Sequence, residues 1–318
     1  PPPVPAPPAP AAPPAPPRTF RFLRASETPT APLIWGQDEE QVRKAIGEAL
    51  NARNVAFLLG AGCSSLWEDK QERGIPTMGP LAETFCSYPK AELDDDLNLI
   101  DPPKWALVDD DVAFLAGLGA KLKDTEYAKN LERLMELLFS LRFVFSRSDK
   151  PEHVDRKNKV EAVIAKIQEF LWGNCTDGAF AHGNSSALNL YEAFYRKLIM
   201  RDRSLPRPWV FTTNYDLFNE RAMDRLGLPY ANGFSGVVER RFNPATFRYA
   251  LAEQLDLSNR KWSAVDGFVY LCKLHGSISW TEDDHGLFPI KETWPQESPS
   301  KVMIYPTPAK QNSSLGSP

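Results

Sequence analysis

The spacing of apolar residues along the chain alternates short strand-like runs with long helical stretches. In "GQDEEQVRKAIGEALNARN", acidic residues come early and Val42, Ile46 and Leu50 recur every four positions, which predicts an amphipathic helix. Residues 55–59, "VAFLL", form an unbroken apolar run that empties into Gly60-Ala61-Gly62, the pattern of a strand ending in a glycine loop. After "GIPTMGP" a second helix is predicted at 80–88. Residues 91–205 are helical in pattern, with three-and-four apolar spacing in "NLERLMELLFSLRFVF", "KVEAVIAKIQEFLW" and "ALNLYEAFYRKLIM". Strand character returns in "WVFTTNY" (209–215), ahead of the helical "DLFNERAMDRLG". "SGVVERRF" reads as a strand or ribbon, "GFVYLCKLHGSISW" holds a buried strand at about 267–274, and "KVMIYP" (301–306) is another candidate.

Strands separated by helices predict an α/β fold with a doubly wound parallel sheet, and residues 91–205 are then a helical insertion or a second helical layer. Ligands of such sheets sit beyond the carboxyl ends of the strands. The polar clusters "GAGCSS", "TTNYD" and "LHGS" each follow a predicted strand, so all three are expected on one rim. The opening "PPPVPAPPAPAAPPAPP" lacks the amide hydrogens that regular structure needs, and residues 1–19 are expected to form a disordered or polyproline-like tail. The folded domain is expected over 20–318. Its end, "PTPAKQNSSLGSP", is loop-like after few strands, so the fold is expected to continue past Pro318.

Composition narrows the chemistry. At 318 residues, 42% hydrophobic and a formal charge of -4, the chain is of ordinary globular make-up and lacks the basic footprint of a nucleic-acid binder. Arg240-Arg241 is read as solvated surface. No apolar run reaches the roughly 18 residues of a membrane span, and no secretory signal is present, so a cytoplasmic protein is expected. Cys63, Cys86, Cys175 and Cys272 form no C-x-x-C pair. Neither a structural zinc nor a disulfide framework is expected, and the thiols are read as mostly buried.

Each candidate has a structural alternative. The G-x-G-x-x-G fingerprint fails where Ser65 replaces glycine, and no phosphate-loop lysine follows, so the first loop is either a phosphate cradle or a tight turn that needs small residues. Asp216 is either a catalytic carboxylate or the cap of the next helix. Asn214 offers an amide to a carboxamide or a water. His275 is a base or a structural histidine, and Gly276 and Ser277 beside it leave room for a ligand. His153 is read as lying in a charged loop, His182 in a loop and His285 in an acidic turn. No G-x-S-x-G elbow supports a serine hydrolase, and no His, Asp and Glu spacing supports a metal site.

In that order along the chain, "GAGCS", "GIPT", "TTNYD" and "KLHG" resemble the motifs of sirtuin-like NAD-binding domains, whose fold is Rossmann-like. The resemblance spans about 55–306. The two zinc-holding cysteine pairs of the deacylase branch are absent, "MGP" follows "GIPT" where that branch has Phe-Arg, and the middle is helical. The chain is closer to the bacterial sirtuin-like domains of anti-phage defence proteins, which hydrolyse NAD. Those domains also carry an "IYPTPAK"-type segment, here Ile304 to Lys310, but the "GYS" strand end that follows it in them is missing.

The resemblance implies that Gly60, Ala61, Gly62 and Ser64 lie against the pyrophosphate and nearby ribose, with Thr213 beside them and Thr77 in the closing loop. It implies that Asn214 and His275 flank the nicotinamide ribose and that Asp216 supports the nicotinamide side. His275 would act on a ribose hydroxyl or on water. The implied activity is an NAD glycohydrolase effector that depletes NAD in anti-phage defence, with NAD as substrate and no zinc. Its implied partners are further copies of itself and a HerA-type ATPase or an Argonaute-like protein. The alternatives are an NAD-dependent protein deacylase and a non-catalytic module that binds NAD or a related nucleotide.

Overall fold

The computed structural model describes residues 18–21, 32–88, 92–93, 99–100, 102–176, 186–202, 204–256, 258, 261–282 and 288–294. The proline-rich opening, His182, His285, the strand expected at 301–306 and Ile304–Lys310 lie outside the described residues. The chain divides into two compact units, Pro1–Arg53 and Asn54–Pro318.

The first unit holds a short antiparallel pair, Thr19–Phe20 with Leu33–Ile34, and helix α1 (Glu39–Leu50). The Phe20 and Trp35 rings pack at a tilt of 35°, with centroids 4.6 Å apart. Asp38 accepts the Ile34 amide at 2.8 Å, and Glu39 and Glu40 in the first turn of α1 favour its positive end.

The second unit is α/β around a four-stranded parallel sheet. Its strands are β1 (Ala56–Leu59), β2 (Trp209–Thr212), β3 (Tyr230–Ala231) and, after a hairpin of β4 (Phe234–Ser235) and β5 (Arg240–Phe242), β6 (Val269–Lys273). The spatial order is β1-β2-β6-β3. Leu59, Thr212 and Lys273 share one row of the register, so β1, β2 and β6 end together. A second, antiparallel sheet adds β7 (Trp280–Glu282) and β8 (Ile290–Glu292) in the order β4-β5-β8-β7. "SGVVERRF" thus belongs to a hairpin.

Between β1 and β2 runs a helical layer: α2 (Met78–Cys86), α3 (Asp109–Gly117), α4 (Thr125–Ala128), α5 (Leu131–Phe145), α6 (Pro151–Thr176) and α7 (Ser186–Leu198). Apolar spacing decides its packing. Leu131, Leu134, Met135 and Leu138 make the buried stripe of α5, which packs on α6 through Val160, Val163, Ile164 and Ile167. Phe85 of α2, Trp105 and Phe170 of α6 join in an aromatic cluster, with centroids 5.4 Å apart for Phe85–Phe170 and 4.6 Å for Trp105–Phe170. A fully buried side chain of this size contributes about 1.5–3 kcal/mol. His153 lies in the first turn of α6, its ring 5.9 Å from that of Phe145, because helix begins at Pro151, where proline suits the first turn. The loop reading of His153 is corrected accordingly.

Helices α7 and α8 (Phe218–Leu226) pack against each other, and Phe194 of α7 meets Phe57 of β1 edge-on at 5.1 Å. On the sheet face they cover, Val210, Thr212, Val269, Leu271 and Lys273 are buried. Gly227, at φ 64°, closes α8 in a left-handed cap. The opposite face carries Leu58, Trp209, Phe211, Tyr270 and Cys272. Among the described residues it is met at Trp209 and Tyr270 by the 3-10 turn Pro244–Arg248 and its flank. Phe247 lies 5.6 Å from Trp209, and the Tyr270 hydroxyl donates to Tyr249 O at 2.9 Å.

Among the described residues no helix is long and apolar enough to cross a membrane.

Candidate functional site

The shared strand ends deliver "GAG", "TTN" and "LHG" to one rim. Two rungs extend the sheet there: Thr213 N donates to Leu59 O at 3.1 Å and Leu274 N to Thr212 O at 2.8 Å. The buried Thr212 hydroxyl donates to Leu59 O at 3.1 Å and accepts the Asn214 amide at 3.1 Å, which turns the chain out of β2. Residues 213–215 therefore leave the strand that their apolar neighbours predicted.

Ser64 is the hub of the rim. Its Oγ donates to Asp216 Oδ2 at 2.7 Å, and an ionised carboxylate only accepts. The single hydroxyl hydrogen is then used, so the contacts with Asn214 Nδ2 at 2.9 Å and Tyr191 OH at 2.9 Å are ones in which Ser64 accepts. Asn214 Nδ2 also donates to Gly60 O at 3.0 Å. Both hydrogens of the Asn214 amide are thereby committed within the chain, and Asn214 can donate to a ligand only by exchanging one of them. Asp216 Oδ1 accepts the Phe218 amide at 3.0 Å, an Asx turn that starts α8. One carboxylate thus both caps the helix and fixes Ser64. Burial, with the Asp216 charge adding to it, pushes the Tyr191 hydroxyl well above its usual range, and the same causes push the Cys175 thiol up to about 12.

After Gly60 the loop makes a 3-10 turn, Ala61–Cys63, with Cys63 N donating to Gly60 O at 2.9 Å. Ala61, Gly62 and Cys63 are exposed, so Cys63 departs from the buried thiols expected of the sequence. Gly60 is extended at φ -112°, and a Cβ on it would meet only Thr213 Oγ1, at an ordinary 3.9 Å. A Cβ on Gly62 would meet nothing within 4 Å. Neither glycine is demanded by packing among the described residues. Gly74 is the opposite case: a Cβ there would fall 2.0 Å from Ser64 O, the carbonyl that accepts Ile75 N at 2.7 Å. The "GIPT" segment is therefore seated on Ser64. Glu72 holds its approach, accepting from Ser65 Oγ, Leu66 N and Gly74 N at 2.7, 2.6 and 2.9 Å. Burial raises the Glu72 pKa, yet these hydrogen bonds outweigh it and the net shift is downward. Thr77 opens α2 as its half-buried N-cap without a side-chain capping bond, outside the Ser64 network.

His275 follows β6 and is half-buried, its ring 6.5 Å from that of Tyr215. Gly276 has φ 83°, a turn that favours glycine. The segment then ties back to the Asn214 loop: Ile278 N donates to Tyr215 O at 3.0 Å and Ser277 Oγ to the same oxygen at 3.3 Å. The structure thus joins Gly60, Ser64, Asn214 and Asp216 in one network, sets Thr213 beside Gly60, brings the His275 turn to Tyr215, and leaves Ala61, Gly62 and Thr77 at the periphery.

Four further residues carry the site. Tyr191 had no local signal, being one buried position among several on α7. Lys273 and Glu220 were also not singled out, and Ser277 was read only as leaving room for a ligand, although in "VYLCK" the lysine is in phase with buried Val269 and Leu271. A cation on that beat was the readable signal. Arg240, read as solvated, instead donates to Glu292 Oε2 at 2.8 Å and to Asn232 Oδ1 at 3.0 Å.

Two clefts lie elsewhere. One, of about 710 Å³, sits at the amino ends of β2 and β6 among Leu198–Asp202, Leu205–Pro208 and Asp266–Val269. The other, of about 790 Å³, is bounded by Glu220, Arg221, Tyr230, Arg240, Ser279 and Glu292. Among the described residues no three His, Cys, Asp or Glu side chains stand close enough to hold a metal ion. Compared with known proteins, the chain matches no family model and no curated sequence.

Proposed function

We propose that the chain is a sirtuin-like NAD glycohydrolase on a doubly wound, Rossmann-like sheet, with the rim around Ser64 and Asn214 as its active site. The observation that carries the reading is the convergence of three distant strand ends, in which Asn214 Nδ2 bridges Gly60 O and Ser64 Oγ. The open space at Gly60 and Gly62 supports it as well, since glycines that the fold does not require suit a backbone approached by a pyrophosphate.

In the reaction, the bond from ribose C1′ to the nicotinamide nitrogen breaks and its electron pair neutralises the pyridinium, so the leaving group needs no proton. Water adds its oxygen to C1′ and gives up a proton, yielding ADP-ribose. The protein has to favour an oxocarbenium-like sugar and place the water. Asn214 would hold the ribose, His275 would take a proton from water or a ribose hydroxyl, and Asp216 would act through Ser64 and the start of α8. Ala61, Gly62, Thr213 and Thr77 would line the pyrophosphate and the closing loop. In a cell such an enzyme would be a cytoplasmic effector that depletes NAD during phage infection, restrained by self-association or by a HerA-type ATPase or Argonaute-like protein.

Incubating the protein with NAD and following nicotinamide release tests the reading. Asn214→Ala and His275→Ala are each expected to lower the rate at least about 100-fold, the scale of a lost acid–base or charge-stabilising group. Undiminished variants would sink it. The committed amide of Asn214 favours a second reading, a module that binds NAD and returns it intact, for which recovery of unhydrolysed NAD from a measurable complex is the expected result.

A further inference from the structure

The most unusual side chain of the fold is one that the proposed reaction does not use. Lys273 ends β6 on the helix-covered face, and its side chain is 1% exposed. An ammonium has three hydrogens to give. Here they go to Ser277 Oγ at 3.0 Å, Tyr215 O at 3.3 Å and Asp216 O. Glu220 Oε1 lies 3.2 Å from the same ammonium as its ion-pair partner. All three acceptors belong to the two loops that flank Asn214 and His275.

A buried ion pair is a weak source of stability, and an apolar side chain of similar volume often serves as well or better. The beat of Val269 and Leu271 calls for one at 273. What the lysine adds is a tie between two separate segments. We propose that Lys273 is the positioning residue of the rim, its buried ammonium clamping Tyr215-Asp216 to the Ser277 turn so that Asn214 and His275 keep one fixed arrangement. The proposal rests on the NAD-hydrolysing reading for its consequence in catalysis, and on geometry alone for the clamp.

Lys273→Met in the full chain tests it. Without the cation that holds its pKa down, Glu220 takes up a proton, and no bare charge is left in the core. Lys273→Met/Glu220→Gln removes the pair altogether. In both variants kcat for nicotinamide release is expected to fall about 100-fold, the cost of an ångström-scale misplacement, while NAD affinity stays within about threefold. Hydrogen exchange at the Ile278 and Phe218 amides is expected to quicken about tenfold, with the Trp209 and Thr213 amides of the sheet unchanged. Two results would overturn the clamp: kcat and exchange both unchanged, or losses that track melting of the whole sheet in both variants. If the wild-type protein releases no nicotinamide, the functional reading fails, and exchange at Ile278 and Phe218 alone decides the clamp.

Discussion

The helical layer and the strand-end rim are held by opposite means. In the layer, α5 and α6 interlock through leucine, valine and isoleucine stripes, and Phe85, Trp105 and Phe170 fill the junction with α2. At the rim, burial is just as deep but the buried groups are Ser64, Thr212, Asn214, Asp216 and Lys273, each satisfied by a specific partner far away in sequence. Apolar contact tolerates substitution of like size, whereas a hydrogen-bonded hub fails when one member is removed. The first region therefore governs stability and the second geometry, and the two should separate on mutation.

The largest stability effect is expected from Phe170→Ala, a loss of about 3–5 kcal/mol read by denaturant unfolding, with nicotinamide release per folded molecule unchanged. A loss of turnover without loss of stability would erase the contrast. Gly74→Ala drives a methyl into the Ser64 carbonyl and should cost about 1–3 kcal/mol, together with much of the NAD affinity. Ser64→Ala is expected to cost a similar 1–3 kcal/mol by leaving Asp216 Oδ2 without its donor, and to abolish turnover, which separates it from Phe170→Ala.

A smaller effect is expected from pH. Burial pushes the Glu220 carboxyl up to about 6 from the ordinary 4.5, while Lys273 draws it down; Glu292 also faces it, as do Tyr195 of α7 and Tyr230 of β3. A carboxyl with a raised folded pKa binds its proton more tightly when folded. Its contribution is full below 4.5 and is lost as pH rises through about 6, amounting to about 2 kcal/mol at most. Glu220→Gln should flatten the stability profile across that window, and a profile identical to wild type would show that Glu220 does not titrate there. Smallest of all, Gly62→Ala should leave stability within about 0.5 kcal/mol while weakening NAD, because only a ligand would meet the new methyl.

What the sequence disclosed follows the same division. Runs of one character were legible: the strand at 55–59 appears as Ala56–Leu59, that at 267–274 as Val269–Lys273, and the helix expected at 80–88 as Met78–Cys86. The last ends early because Tyr88 takes φ 38°. The strand expected at 209–215 stops at Thr212, whose hydroxyl captures the Asn214 amide that a ladder would need, and Asp216 then takes the Phe218 amide to start α8. Which side chains meet across long separations was not legible. Ser64 reaches Tyr191 over 127 positions and Asp216 over 152, and no periodicity encodes such partners. Helices cover the Val210 face of the sheet, and among the described residues a 3-10 turn and its flank meet the other face at Trp209 and Tyr270.

The most direct test of a single rim built from three strand ends is hydrogen exchange of the full chain with and without NAD, before turnover consumes it. The account predicts protection together at residues 60–65, 213–217 and 274–278. Protection at only one of these segments, or at the cleft beside Glu220 and Arg240 instead, would contradict it.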